Sequence, residues 1–145
     1  MEKAIWITPF TPEELNQRAE NSLSAHLGIE FTEVGGDFLT ASMPIDQRTH
    51  QPKGIMHGGA SSALAETVGS AAANYCIDQH QYVCVGLDLN INHIRSVRAG
   101  LVRAVATPFH LGKTTQVWDI KIWDESKRLV SVARLTVAIL RKTES

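Results

Sequence analysis

Between Gly58 and Ile77 the chain carries a single charged side chain, Glu66, among alanines, glycines, serines and aliphatics. The stretch from His57 to Ile77 reads as one helix of about 20 residues, about 30 Å long. A helix this apolar has to bury itself against a larger surface. A lone carboxylate at the centre of a helix that reads as buried is costly unless it has a partner or a task. The entry His57-Gly58-Gly59 puts small residues where unpaired backbone N–H groups point outward. An acid in mid-helix and an anion-stabilising helix tip together suggest carbonyl chemistry.

The rest of the chain supplies the surface. Thr11-Pro12-Glu13-Glu14 is a helix start, with Thr11 as N-cap, Pro12 at the first position and Glu14 closing a capping box. This first helix is expected to run to about Ala25 and to end by Gly28. Residues 29–34 alternate apolar and polar as a half-buried strand, and residues 38–45 return as a second one that stops at Pro44. Residues 46–56 are polar, contain Pro52 and Gly54, and read as a loop. After the long helix come four strand-like runs, about 82–95, 101–109, 114–123 and 129–140. Their period of two is clearest in Val117-Trp118-Asp119-Ile120-Lys121-Ile122-Trp123. The links between them are short, which predicts antiparallel neighbours. The order α-β-β-α-β-β-β-β predicts an α+β fold, one antiparallel sheet curved around the long helix, in a single domain over 1–145.

Composition removes several classes of function. Lys plus Arg number 14 and Asp plus Glu 15, with no basic run, so nucleic acid is not an expected partner. The cations gather late in the chain, from Arg95 to Lys142, where they leave room for a phosphorylated small molecule. Cys76, late in the apolar helix, and Cys84, in a strand-like run, make no disulfide framework and read as buried free thiols. Neither C-x-x-C nor H-E-x-x-H occurs, so no metal is expected. No apolar h-region or membrane-length run is found, so the expected compartment is the cytoplasm, without membrane contact.

The pattern H-G-G-x-x-x-x-L-A-E-x-x-x-S over His57–Ser70 resembles the hotdog-fold thioesterases, in particular the 4-hydroxybenzoyl-CoA type. Supporting segments are Met43-Pro44-Ile45-Asp46, Arg48-Thr49-His50-Gln51-Pro52, Val85-Gly86-Leu87, Asn90 to Ser96 and His110-Leu111-Gly112. The likeness spans nearly the whole chain. It implies an acyl-CoA thioesterase for aromatic acyl groups, with no cofactor, built as a homodimer and usually as a homotetramer. It implies Glu66 as nucleophile or general base, and the Gly58 N–H as the group that polarises the carbonyl. Gln51 matches a residue that hydrogen-bonds the carbonyl, and His57 one beside the thioester, although a helix-capping role alone would also account for His57. Ser70, one turn after Glu66, matches a hydroxyl that positions water or the acid; packing alone would explain it equally well. Gly86, His93, Ile94, Arg95, Ser96, His110, Leu111, Gly112, Lys113, Thr114 and Thr115 match positions that line the pantetheine and nucleotide.

Distance adds a constraint. Gly58 and Glu66 are eight positions apart on one helix, about 12 Å by rise. Reacting groups need contact near 3–3.5 Å. If both serve one thioester, they come from different chains. The remaining readings are a proofreading hydrolase for misacylated aryl carrier protein, a broad-specificity thioesterase, a hotdog dehydratase or hydratase, and a non-catalytic acyl-CoA binder.

Overall fold

The computed structural model describes residues 3–143. The elements are α1 (Pro12–Arg18), α2 (Leu23–His26), β1 (Glu30–Val34), β2 (Leu39–Ile45), α3 (Gly58–Asn74), β3 (Tyr82–His93), β4 (Gly100–Leu111), β5 (Thr115–Trp123) and β6 (Leu129–Arg141). The strands form one antiparallel sheet in the order β1-β2-β4-β5-β6-β3.

The sheet curves around α3. Inward side chains alternate along each strand: Leu39, Ala41, Met43 and Ile45 on β2, Val102, Ala104 and Ala106 on β4, Trp118, Ile120 and Ile122 on β5, and Ala133, Leu135 and Val137 on β6. They meet Leu64, Ala65, Val68 and Ala72 of the helix, all fully buried. The small residues allow this close approach. A Cβ added at Gly69 would stand 2.7 Å from Leu135 Cδ2 and 3.3 Å from Ile120 Cδ1. This is the sheet curved around one long helix that the element order predicts, and the hotdog fold that the resemblance implies.

The capping box at Thr11 forms: the Thr11 hydroxyl accepts from the Glu14 N–H at 3.2 Å, and the Thr11 N–H donates to the Glu14 carboxylate. The helix that follows is shorter than expected. It stops at Arg18, and a separate turn of helix begins at Leu23. Asn21 lies between them in the left-handed region, φ 62°, which an α-helix cannot accommodate. The central helix also ends early, at Asn74, so Cys76 sits in the following turn rather than in the helix. Pro44 does not stop β2. Pairing with β1 ends at Ser42, beyond which that edge of β2 is open and a missing N–H breaks no ladder.

One short link misleads. β3 pairs with β6, not with β4, and lies at the edge of the sheet. The segment 94–99 therefore passes two strands to reach β4. It is fastened on the way: the N–H groups of Ile94 and Arg95 both donate to the Val130 carbonyl, and the Val97 carbonyl accepts from Met56 at 2.8 Å. Buried Val97 anchors it from below. This detour brings residues 94–97 to the tip of α3.

Candidate active site

The tip of α3 opens a cleft of about 280 Å³. Its walls include Gln51, Gly58, His93, Ile94, Arg95 and Ser96, all expected as site residues, together with Met56, Val97 and Ser131. The loop 46–57 is held at several points. The Thr49 hydroxyl donates to the Pro44 carbonyl at 2.8 Å, His57 N–H to the Thr49 carbonyl at 2.7 Å, and His50 Nε2 contacts the Arg98 carbonyl at 2.8 Å. At its start the Arg48 side chain, and then its backbone N–H, hydrogen-bond the Asp46 carboxyl and hold it down at about 2. Gln51 Oε1 accepts from the Lys53 N–H, so the Gln51 NH₂ donors are uncommitted among the described residues.

His57 is the N-cap of α3, and its Nδ1 accepts from the Gly59 N–H at 2.7 Å. The capping role weighed from the sequence is therefore real. It leaves the Gly58 N–H as the first free donor of the helix. The His93 ring lies over Gly58, where a Cβ would be 2.9 Å from Nε2. Only glycine fits there without displacing the ring. The Ser61 hydroxyl donates to the Gly58 carbonyl at 2.9 Å and so accepts from His93 Nδ1 at 3.2 Å. Ser62 donates to the same carbonyl at 2.8 Å. Neither Ser61 nor Ser131 stood out in the sequence. The available signal was a hydroxyl at an otherwise apolar inward position.

Glu66 belongs to a second patch. The expectation of a buried acid fails: within one chain Glu66 is exposed. Ser62, Ala63 and Ser70 of the same helix are half-buried, while Ala65, Val68 and Gly69 are buried. The carboxylate extends over Gly86 on β3, where an added Cβ would be 2.5 Å from Oε1. Ser70 is half-buried one turn on, and its carbonyl accepts from Asn74 Nδ2. β3 steps out of register between Gly86 and Asp88. Val83, Val85 and Leu87 are exposed along this edge strand, Leu87 by 63%.

The turn His110–Thr115 lies at the other end of the sheet. Thr115 pairs with Ala138, whereas Ser131 near the cleft is seven positions earlier on β6, about 23 Å away by strand rise. Within one chain, then, the helix tip gathers Gln51, Gly58, His93, Ile94, Arg95 and Ser96, but not Glu66, Ser70, Gly86 or the 110–115 turn. Among the described residues no His, Cys, Asp and Glu cluster fits a metal ion, and no helix is long and apolar enough to cross a membrane.

A helix wrapped by an antiparallel sheet, with a free N–H tip at one end and a carboxylate two turns on, is the arrangement that the resemblance to the hotdog thioesterases implies. Residues 53–131 match the profile of the Thioesterase superfamily, and the chain belongs to that family. It is 50% identical over 136 residues to the 1,4-dihydroxy-2-naphthoyl-CoA hydrolase of Escherichia coli strain K12, covering 94% of this chain and 99% of that protein. The structure matches thioesterase HI1161 from Haemophilus influenzae with TM-score 0.94 and 48% identity over 97% of each chain. It matches a mutant thioesterase PA1618 from Pseudomonas aeruginosa with TM-score 0.95 and 47% identity, over 96% of this chain and 100% of that one. The protein is a thioester hydrolase.

Proposed function

We propose that this hydrolase cleaves aromatic acyl-CoA thioesters in the cytoplasm, with 1,4-dihydroxy-2-naphthoyl-CoA of menaquinone biosynthesis as its substrate. The working unit is a two-fold dimer with two composite sites, further paired into a tetramer. One observation carries this reading: Glu66 is presented outward, over Gly86, beside an unpaired edge strand that exposes Val83, Val85 and Leu87. An apolar open edge invites a second strand. Pairing β3 with its copy about a two-fold axis would set two α3 helices side by side, antiparallel, each tip facing the other's acid. The name of the Escherichia coli relative supports the acyl group.

In this arrangement the thioester enters the cleft at the helix tip. The Gly58 N–H and the Gln51 NH₂ hydrogen-bond its carbonyl oxygen, and the positive end of α3 favours the charge that develops there. Losing one such donor raises a barrier by about 2.7–4 kcal/mol. Glu66 of the partner subunit completes the reaction by one of two routes. As general base it takes a proton from water while the oxygen adds to the carbonyl carbon; the C–S bond then breaks and the thiolate recovers the proton. As nucleophile its carboxylate adds directly, the thiolate leaves, and water cleaves the resulting anhydride. Ser70 beside it holds the water or the acid. His93, Ile94, Arg95 and Ser96, with Gly86 and the 110–115 turn, line the path of the CoA arm, where Arg95 and Lys113 offer donors to phosphate.

The test is a thiol-release assay across 1,4-dihydroxy-2-naphthoyl-CoA, benzoyl-CoA, an aliphatic acyl-CoA and a misacylated aryl carrier protein. The naphthoyl ester is expected to lead in kcat/KM by about tenfold or more. A larger value for the aliphatic ester or the carrier protein overturns the substrate assignment. Sedimentation of the same sample as an active monomer overturns the composite site.

A further inference from the structure

Among the described residues, the buried polar side chains are almost all spoken for. Thr40 bonds to Thr32 and the Glu33 carbonyl, Thr49 to Pro44, Ser61 to Gly58, Gln116 to Trp118, and Asp119 to Lys121. Ser131 is the exception. It is fully buried, and its Oγ has no hydrogen-bond partner among the described residues. A buried hydroxyl without a partner is disfavoured, so a native one calls for a reason.

Its position suggests the reason. Ser131 lies on β6 opposite His93 of β3 and Ile122 of β5. It continues the inward row of Ala133, Leu135 and Val137, where alternation would otherwise place an apolar residue. It lines the cleft at the tip of α3 together with Gly58, Gln51 and His93. The neighbouring groups are already engaged. The Val130 carbonyl holds two N–H groups, His93 Nδ1 is held by Ser61, and the Gly58 carbonyl accepts from both Ser61 and Ser62.

We propose that Ser131 is a substrate-binding residue whose hydroxyl hydrogen-bonds the acyl group beside the thioester carbonyl. The inference rests on the thioesterase reading of the same cleft. The shared chemistry is an oxygen next to the reacting carbon. It can be the thioester oxygen itself or a ring hydroxyl ortho to it, and the side chain can serve either, since it both donates and accepts.

The experiment compares the native enzyme with Ser131→Ala, and with Ser131→Cys, which keeps the volume. The substrates are benzoyl-CoA and 2-hydroxybenzoyl-CoA. Binding of a non-hydrolysable phenacyl thioether of CoA is measured by calorimetry. The expected result is a loss of about tenfold or more in kcat/KM for Ser131→Ala. Its Tm should be unchanged or higher, because the substitution removes a hydroxyl that the fold itself leaves unpartnered. An equal loss on both esters assigns the contact to the thioester oxygen; a loss confined to the hydroxylated ester assigns it to the ring hydroxyl. Native kcat/KM on both esters and native affinity for the thioether overturn the proposal. So does a lowered Tm with unchanged kcat/KM, which would mark Ser131 as structural. If the native enzyme hydrolyses neither ester, the thioesterase reading of the cleft fails on its own; the thioether titration still decides whether Ser131 touches a ligand.

Discussion

The two candidate patches of α3 differ in how finished they are. At the tip, one chain does everything: it caps the helix with His57, fixes the His93 ring through Ser61, and folds the 46–57 loop and the 94–97 detour into a walled cleft. Two turns further on, Glu66 stands exposed beside an unpaired strand edge. A carbonyl-binding site has to be preorganised before substrate arrives, because donors that must reorganise lose most of their worth. An acid can be delivered by a neighbour. In the proposed dimer, a symmetric pair of sites needs only one finished half from each chain.

Removing Glu66 separates the halves most sharply. Glu66→Ala should lower turnover by about a thousandfold or more while leaving the fold intact, because the proposed reaction runs through this acid, which is exposed within its own chain. Gly58→Val should also abolish turnover, by driving a branched side chain into the His93 ring. Co-refolding the two inactive variants in equal amounts should then restore activity to about a quarter of native, since half the dimers are mixed and each has one intact site. Steady-state kinetics on the mixture checks this. No recovery would mean that tip and acid serve the same chain, and the comparison would collapse.

A smaller effect is expected where the acid meets the edge strand. Gly86→Ala places a Cβ 2.5 Å from Glu66 Oε1, so the carboxylate must move. A shift of about 1 Å in a reacting group costs about a hundredfold in rate. The loss should fall on kcat rather than KM, with dimer formation retained. An unchanged kcat would show that Glu66 does not work from its position over β3.

Much of the fold is legible in the sequence, and the misses have physical causes. The capping box at Thr11, the glycine entry to α3 and the alternation in β5 depend on neighbouring residues, and each appears as expected. The break at Asn21 was hidden because the stretch around it carries no proline or glycine to announce a left-handed residue. The pairing of β3 with β6 was hidden because the short-link rule knows nothing of a segment that is carried across two strands by hydrogen bonds to Val130 and Met56. The exposure of Glu66 is not legible because small residues occur all around α3. Ser62, Ala63 and Ser70 are half-buried, yet they are as small as the buried residues beside them. The sequence conceals which face of this helix meets the sheet.

The smallest effect concerns the far end of the helix. Burial pushes the Cys76 thiol up to about 12, helped by the neighbouring Cys84, and burial pushes Cys84 up to about 11, both from a reference of 9.0. A raised value means that the native protein keeps these protons where the unfolded chain has already released them. Between about pH 9 and 12 the unfolded state therefore binds fewer protons, and stability falls as pH rises. The urea midpoint should drop from pH 8 to pH 10, and part of that drop should vanish in Cys76→Ala/Cys84→Ala. At pH 8 the thiols should react with a disulfide reagent far more slowly in the native protein than in urea, since the thiolate is the reactive form. The double variant should keep native kcat/KM, because Cys84 contacts the Ala73 carbonyl at the closed end of α3 and neither thiol lines the cleft at its tip. Rapid labelling with loss of activity would mean that this end opens during turnover, and that the division between a working tip and a structural far end is drawn in the wrong place.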